Sequence, residues 1–251
     1  MGIFSNQFIE VIEWTDGRPD DLVFQFPVTG REIKMGAQCV VRESQAAVFF
    51  RDGKALDVFG PGRHTLTTMN LPILTKLLSL PFGGNSPFKS EVFFVNLKEY
   101  TDQKWGTPAP IMVRDPEFGP LRLRAFGSYS FSVGDPQLFV NKVVGMANLY
   151  TSDQITEYLK RMIVTRFTDL LGEQKIAALD LASRYDELSA AGKAKVEQDF
   201  LAFGVRAKSF YVQSITLPEE VEKALDKRSQ MGVLGDLGKY TQYQTAEAIR
   251  D

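Results

Sequence analysis

The order of its segments constrains the fold of this chain more than any other feature. Strand-like segments fill the first half, amphipathic helical segments follow, and one further strand-like segment precedes a helical tail. Regular alternation of strands with helices would predict a parallel α/β sheet, whereas this segregated order predicts an α+β fold. We therefore expect a strand-rich N-terminal half, then helices, a late strand and a C-terminal helical tail.

The strand predictions rest on short apolar or alternating runs bounded by turn residues. The predicted strands cover residues 22–28, 37–42, 46–51, 55–59, 91–97, 111–114, 121–133 and 205–217. Asp52-Gly53 predicts a hairpin turn between two of them. In 121–133, apolar residues alternate with Arg122 and Arg124, which predicts a strand with one buried face.

The helix predictions rest on capping residues and on a period of 3.6. Asp135-Pro136 predicts a helix start, with the helix running to about Gly145. The strongest pattern predicts a helix over 152–171, with a capping box from Thr151 and Gln154 and an end at Gly172. Further helical segments are predicted over 173–180 and 184–203. A last helix is predicted from Pro218, in which Glu219 pairs with Lys223.

Residues 3–14 predict a short amphipathic helix with a broad apolar arc. One interpretation is an interfacial helix in the headgroup region of a membrane, and the other is a helix packed on its own domain. Acidic residues outnumber basic ones in this segment, so binding to lipid would depend on apolar burial. The candidates for membrane contact are Ile3, Phe4, Phe8, Ile9, Val11, Ile12 and Trp14.

Two further segments carry surface hypotheses. Residues 64–88 are apolar, with Lys76 as their single charge among several prolines and glycines, which predicts a loop that either touches the bilayer or packs under the sheet. Its candidate membrane contacts are Leu71, Ile73, Leu74, Leu77 and Leu78. In the tail, Gly232, Gly235 and Gly238 either form a flexible hinge or let a neighbouring helix approach closely in an assembly.

Composition narrows the function. Lys and Arg number 29 against 31 Asp and Glu, so no global positive field favours nucleic acid as a partner. Cys39 and His64 are single, which disfavours metal sites built from several cysteines or histidines. No spacing predicts a catalytic residue, a metal ligand or a cofactor site. No signal peptide and no run of about 18 apolar residues is present, which predicts a cytoplasmic chain.

Several short motifs, in a shared order, resemble the SPFH or band 7 family of stomatin, prohibitin and flotillin. They are Gly60-Pro61-Gly62 before the apolar loop, residues 125–136 ending in Asp135-Pro136, Phe203-Gly204-Val205, and Ile215-Thr216-Leu217-Pro218. Residues 7–14 and 85–89 are similar to the bacterial branch described as virion-core-protein-like. Relatives there often continue into a glycine-rich tail and a cysteine-rich zinc module, so the resemblance implies a truncated chain or a short member.

The resemblance implies three parts: an amphipathic segment over 1–20, an SPFH domain over 21–218 and a helical tail over 219–251. It implies a non-enzymatic scaffold that assembles with itself, through 121–133 or the helix 152–171, at the inner face of the cell membrane. Its other expected partners are membrane or envelope-stress proteins. The alternatives are a cage that regulates a membrane protease, or a soluble enzyme or small-ligand binder, which would need a pocket with convergent polar groups.

Overall fold

A computed structural model describes residues 11–15, 17–18, 20–27, 36–51, 54–66, 90–144, 151–174, 176–219, 221–223 and 226. Within these ranges the strands are β1 (Val11–Glu13), β2 (Val23–Phe26), β3 (Gln38–Val41), β4 (Gln45–Arg51), β5 (Lys54–Phe59), β6 (Gly62–Thr65), β7 (Ser90–Asn96), β8 (Tyr100–Gly106), β9 (Ile111–Asp115), β10 (Gly119–Val133) and β11 (Val205–Thr216). The helices are α1 (Pro136–Phe139), which continues as a π-helical turn (Val140–Val144), α2 (Ser152–Gln174) and α3 (Tyr185–Leu201). Strands therefore precede helices and a late strand follows, which confirms the α+β prediction.

A central sheet in the order β2-β7-β4-β5 divides the interior into two cores. On one face, Ala47, Phe49 and Phe94 join a smaller core that a second sheet, β1-β3-β6, also lines. On the other face, Val48 and Phe93 join the larger core. Both faces of β4 and β7 are buried, which explains why their sequences read as continuous apolar runs rather than as an alternation.

The third sheet has the order β11-β10-β8, and β9 pairs with the first part of β10. The fifteen residues of β10 make it the longest strand of the described chain. Its pairing with β11 runs from Arg124 opposite Thr216 to Val133 opposite Val205. This register, in the predicted strands 121–133 and 205–217, builds the surface on which the functional argument depends.

The helices cover the inner face of the third sheet. In α2 the buried residues Ile155, Leu159, Ile163 and Phe167 recur with helical spacing, as predicted. The capping box is confirmed, since Thr151 N–H donates to Gln154 Oε1 over 3.2 Å and Gln154 N–H donates to Thr151 Oγ1 over 3.4 Å. The helix runs past Gly172 to Gln174, three residues beyond the predicted last residue 171.

Side-chain contacts join the helices to one another and to the third sheet. Arg166 of α2 forms a bidentate ion pair with Asp199 of α3, with N–O distances of 2.6 and 2.9 Å. Trp105 of β8 packs against Phe167 of α2 with ring centroids 4.9 Å apart, stacks on Phe210 of β11, and donates its indole N–H to the Tyr211 carbonyl over 3.2 Å. These contacts hold helices and sheet as one packed layer pair.

Three local predictions needed correction. Residues 11–13 form a strand and not a helix, because β1 pairs in parallel with β3, with Ile12 opposite Cys39. Two strands, β6 and β8, were not predicted. Both are largely polar: β6 reads Gly-Arg-His-Thr, and β8 buries only Tyr100 and Trp105 along its length. Of the described residues in 173–180, Glu173 and Gln174 end α2 and Ala178–Asp180 form a short 3-10 turn, in place of a further helix. The last helix is confirmed at its start, where Lys223 pairs with Glu219 over 2.6 Å.

Candidate interaction surfaces

The N-terminal candidates for membrane contact separate into buried and exposed side chains. Val11 is 47% exposed, whereas Ile12 is fully buried and Trp14 is 5% exposed. Ile12 lies in the smaller core, and the Trp14 ring stacks on Phe24 with centroids 5.7 Å apart. In this fold Ile12 and Trp14 therefore do not offer their apolar surface to lipid, contrary to the predicted helix face.

The other predicted surface residues lie outside the described part of the chain. They are Ile3, Phe4, Phe8, Ile9, Leu71, Ile73, Leu74, Leu77, Leu78, Gly232, Gly235 and Gly238. The apolar loop is described only up to Leu66, which is fully buried and whose N–H donates to the Ala37 carbonyl over 2.9 Å. The membrane and packing roles of these residues stay predictions.

The Asp115 carboxylate at the end of β9 is buried and accepts hydrogen bonds from the backbone of two separate chain segments. Its Oδ1 accepts from the N–H groups of Glu117 and Phe118 over 2.8 Å each, and its Oδ2 accepts from Ala178 N–H over 2.6 Å. Burial by itself raises the pKa of this carboxyl, but the three N–H donors outweigh burial and hold the pKa below its usual range. Asp115 is therefore an ionised structural acceptor, and a general base would need a raised pKa.

Cys39 and His64 also have structural surroundings. Cys39 is fully buried in β3, and desolvation raises the pKa of its thiol to about 12. His64 of β6 donates from Nε2 to the Gly60 carbonyl over 2.8 Å and lies against the Phe59 ring. His64 thus lies on the edge strand β6, with its ring held against the preceding turn.

Large apolar side chains are exposed on the outer face of the third sheet. Met112 of β9 is 64% exposed, Phe126 of β10 is 50% exposed and Tyr211 of β11 is 58% exposed. Ser128 lies opposite Tyr211 and two residues from Phe126, which brings the two rings to neighbouring rows of the same face. Clustered exposure of this kind is typical of a surface that binds another macromolecule.

A groove lies at the edge of this face, where β11 leaves β10. Residues 119–123 of β10 pair with β9, and pairing with β11 begins only at Arg124. The groove beside 119–123, which we call the β10-edge groove, has a volume of about 590 Å³. Its apolar walls are Pro110, Met112, Pro120, Leu217, Pro218 and Val221, and its polar part includes Arg122 and Arg124.

Sequence reasoning placed this region on a half-buried strand but missed the groove. The alternation that exposes Arg122 and Arg124 was visible. The groove itself depends on the position at which two strands far apart in the sequence stop pairing, which is Arg124 opposite Thr216. Pro218, just after that position, was the available signal, because proline ends a strand within a sheet.

No group of three or more His, Cys, Asp or Glu residues lies close enough to hold a metal ion in the described part of the chain. None of the described helices combines the length and the apolar composition that crossing a bilayer requires.

The profile of the SPFH domain-Band 7 family matches residues 23–233. The chain is also 27% identical, over 251 residues, to the uncharacterized protein YdjI of Bacillus subtilis (strain 168). That alignment covers 99% of this chain and 77% of YdjI.

Proposed function

The chain belongs to the SPFH domain-Band 7 family, and we propose that it is a non-enzymatic scaffold that assembles with its own copies at a membrane. In this proposal it is peripheral at the inner face of the cell membrane and organises membrane or envelope-stress proteins there. The family match across residues 23–233 carries the proposal, since members of this family are generally membrane-associated scaffolds.

The roles of the buried ionisable groups support a function at surfaces. Asp115 is saturated by three backbone donors, and the Cys39 thiol is held protonated by burial. A nucleophile or general base needs the opposite arrangement, a free and activated group at a cleft. These two groups therefore serve the fold.

The outer face of the third sheet supports self-assembly. Phe126 and Tyr211 are at least half exposed although they lie on a rigid sheet whose other face is fully packed. Contacts between this face and a different face of the next copy would be heterologous and would repeat into a ring or a filament. A sheet face that is held in place by the packed core behind it is suited to such repetition, because it does not have to be ordered on binding.

The proposed membrane contact now rests on fewer N-terminal residues than the sequence pattern suggested. With Ile12 and Trp14 inside the protein, the remaining apolar candidates there are Ile3, Phe4, Phe8, Ile9 and the exposed Val11. Burial of one large apolar side chain in a lipid phase contributes about 1.5–3 kcal/mol. Two such residues inserted from every copy of an assembly would give stable attachment through avidity.

Light scattering and co-sedimentation with liposomes test both parts of the proposal. The wild type is compared with Phe4→Glu/Phe8→Glu and with a matched control, Val58→Glu/Leu201→Glu, which changes two exposed apolar residues elsewhere. We expect an oligomeric wild type and control that sediment with liposomes, and a double N-terminal variant that stays in the supernatant. A monomeric wild type that ignores liposomes would refute the proposal. Equal losses in both variants would refute the N-terminal contact.

A further inference from the structure

We propose that the β10-edge groove binds an extended, acidic and apolar segment of a partner protein, which adds to the free edge of β10 as a short strand. The biological meaning of this binding rests on the proposed scaffold function, because the partner would be a protein that the scaffold organises. The binding itself is testable without that function.

The N–H and C=O groups of β10 point alternately to its two sides, and those of Arg122 point toward the groove. Thr107 N–H donates to the Ala125 carbonyl over 2.9 Å, and Ala125 N–H donates to Thr107 Oγ1 over 3.2 Å. The polar groups of Ala125 therefore point toward the β8–β9 side of β10. Because these groups alternate along a strand, the N–H and C=O of Arg122 point to the opposite side, toward the groove.

On the groove side of residues 119–123, no described strand pairs with β10. Within the described residues, β11 pairs with β10 only from Arg124 onward, and β11 itself ends at Thr216. Pro120 is two residues before Arg122, so its backbone polar positions face the same side of the strand, the groove side. Pro120 has no N–H there and offers only its C=O. Proline in a sheet is found where no ladder bond is required, which agrees with a free edge at this position. The edge thus offers the N–H and C=O of Arg122 and the C=O of Pro120.

The side chains determine which kind of segment fits. Arg122 and Arg124 are exposed, and neither forms a salt bridge with any residue of the described chain. Charges on a free edge discourage pairing with ordinary strands. A segment whose alternate residues are acidic removes that penalty, because carboxylates form charge-assisted hydrogen bonds with the two guanidinium groups. The intervening apolar residues point to the opposite face, where Leu121, Leu217 and Val221 line the groove.

The concave shape favours a protein segment over a bilayer. Beside the edge of β10, the groove is lined by Met112 of β9 and by Pro218 and Val221, which follow β11 in the chain. An extended peptide enters such a groove and satisfies a row of backbone groups, as in other strand-addition complexes. A planar lipid surface would contact the rim and leave the Arg122 N–H unreached.

Fluorescence anisotropy with labelled hexapeptides tests charge selection. One peptide alternates glutamate with valine and the other alternates lysine with valine. We expect the glutamate peptide to bind the wild type at least about tenfold more tightly than the lysine peptide, with affinity falling as salt rises. Arg122→Glu should reduce that affinity about tenfold. Arg63→Glu, which makes the same charge change on exposed β6, should leave it within about twofold.

A second pair of variants distinguishes the contribution of the Arg122 backbone N–H to peptide affinity from that of its side-chain charge. Arg122→Ala removes the side chain alone, and Arg122→Pro also removes the N–H that points to the groove. We expect Arg122→Pro to bind the glutamate peptide about fivefold more weakly than Arg122→Ala, the size of one hydrogen bond. Hydrogen exchange on the wild type provides the same information without a variant, since bound peptide should protect the Arg122 amide.

Three results would overturn the inference. They are no binding of the glutamate peptide at millimolar concentration, equal effects of Arg63→Glu and Arg122→Glu, and an Arg122 amide that bound peptide leaves unprotected. Displacement of the peptide by phosphatidylglycerol vesicles, with the same dependence on Arg122, would reassign the groove to lipid. Oligomerisation and liposome binding are measured separately, so the scaffold proposal stands or falls independently of these outcomes.

Discussion

The Asp115 carboxylate accepts a hydrogen bond of 2.6 Å from the backbone N–H of Ala178, although 63 residues separate them along the chain. The bond joins the end of β9 to the first residue of the 3-10 turn between α2 and α3. One buried carboxylate thus fixes the β9–β10 hairpin relative to the helices. The β10-edge groove lies on the outer face of that same hairpin.

Replacement of Asp115 by asparagine should lower the free energy of unfolding by about 1–3 kcal/mol. An amide keeps one acceptor oxygen but presents an N–H donor to one of the backbone N–H groups, which leaves that group unsatisfied in a buried place. Urea unfolding followed by circular dichroism measures the change. Asp102→Asn is the control, since Asp102 is 71% exposed and its positive φ suits asparagine. Equal changes in the two variants would contradict the prediction.

The stability of the wild type should fall in acid partly through the same group. The pKa of Asp115 lies below its unfolded value of about 3.9, so its ionised form stabilises the fold above about pH 4. This contribution is lost as pH falls through the lower, folded pKa. The pKa of Asp199 is also lowered, by hydrogen bonds from Arg166. Between pH 6 and 3, the free energy of unfolding of Asp115→Asn should therefore fall less than that of the wild type. It should still fall to some extent, because Asp199 is present in both proteins. Parallel curves for the two proteins would disprove this assignment.

Gly127→Ala should destabilise the protein by about 3 kcal/mol, because the added Cβ has no space. It would overlap the carbonyl oxygen of Tyr211 and lie 2.8 Å from Trp105 Nε1. Gly172→Ala is the matched comparison, since its Cβ meets nothing within 4 Å and alanine favours the helix by about 0.5–1 kcal/mol. Thermal unfolding should therefore shift down for Gly127→Ala and up for Gly172→Ala. Two shifts of the same sign would count against the register of β10 with β11.

Ile12→Glu should destabilise the protein by about 3–5 kcal/mol, whereas Val11→Glu should change stability by about 0.5 kcal/mol or less. The glutamate at position 12 would enter the smaller core, and the one at position 11 would face solvent. Denaturant unfolding of both variants measures the difference. Similar effects at the two positions would indicate a helix rather than the strand β1. The comparison also shows why Ile12 is a poor choice for testing membrane contact.

The Cys39 thiol should resist modification in the folded protein. Burial keeps it protonated at neutral pH, and the thiolate is the reactive form. We expect incubation with a disulfide reagent at pH 8 to label less than about a tenth of the native protein and all of the protein unfolded in urea. Rapid labelling of the native form would place Cys39 outside the core.

Much of this fold was predictable because its main elements are long and periodic. The buried face of α2, the strand that became β10 and the late strand β11 all carry patterns of ten residues or more. Short elements were less certain. Residues 11–14 fit an amphipathic helix, but they also alternate in the manner of a strand, and only the pairing of Ile12 with Cys39 decides between the two. The polar strand β8 carried too few apolar residues to be recognised.

The amino-acid sequence by itself determined the α+β class, the principal helices and strands, and the family to which the chain belongs. These properties follow from local periodicity, capping and turn residues, each of which acts over a few neighbouring positions. The tertiary structure decided which apolar residues are available at the surface. Whether Ile12 faces a core, or whether the edge of β10 is free at Arg122, depends on strand partners tens of residues away, and no local pattern records them.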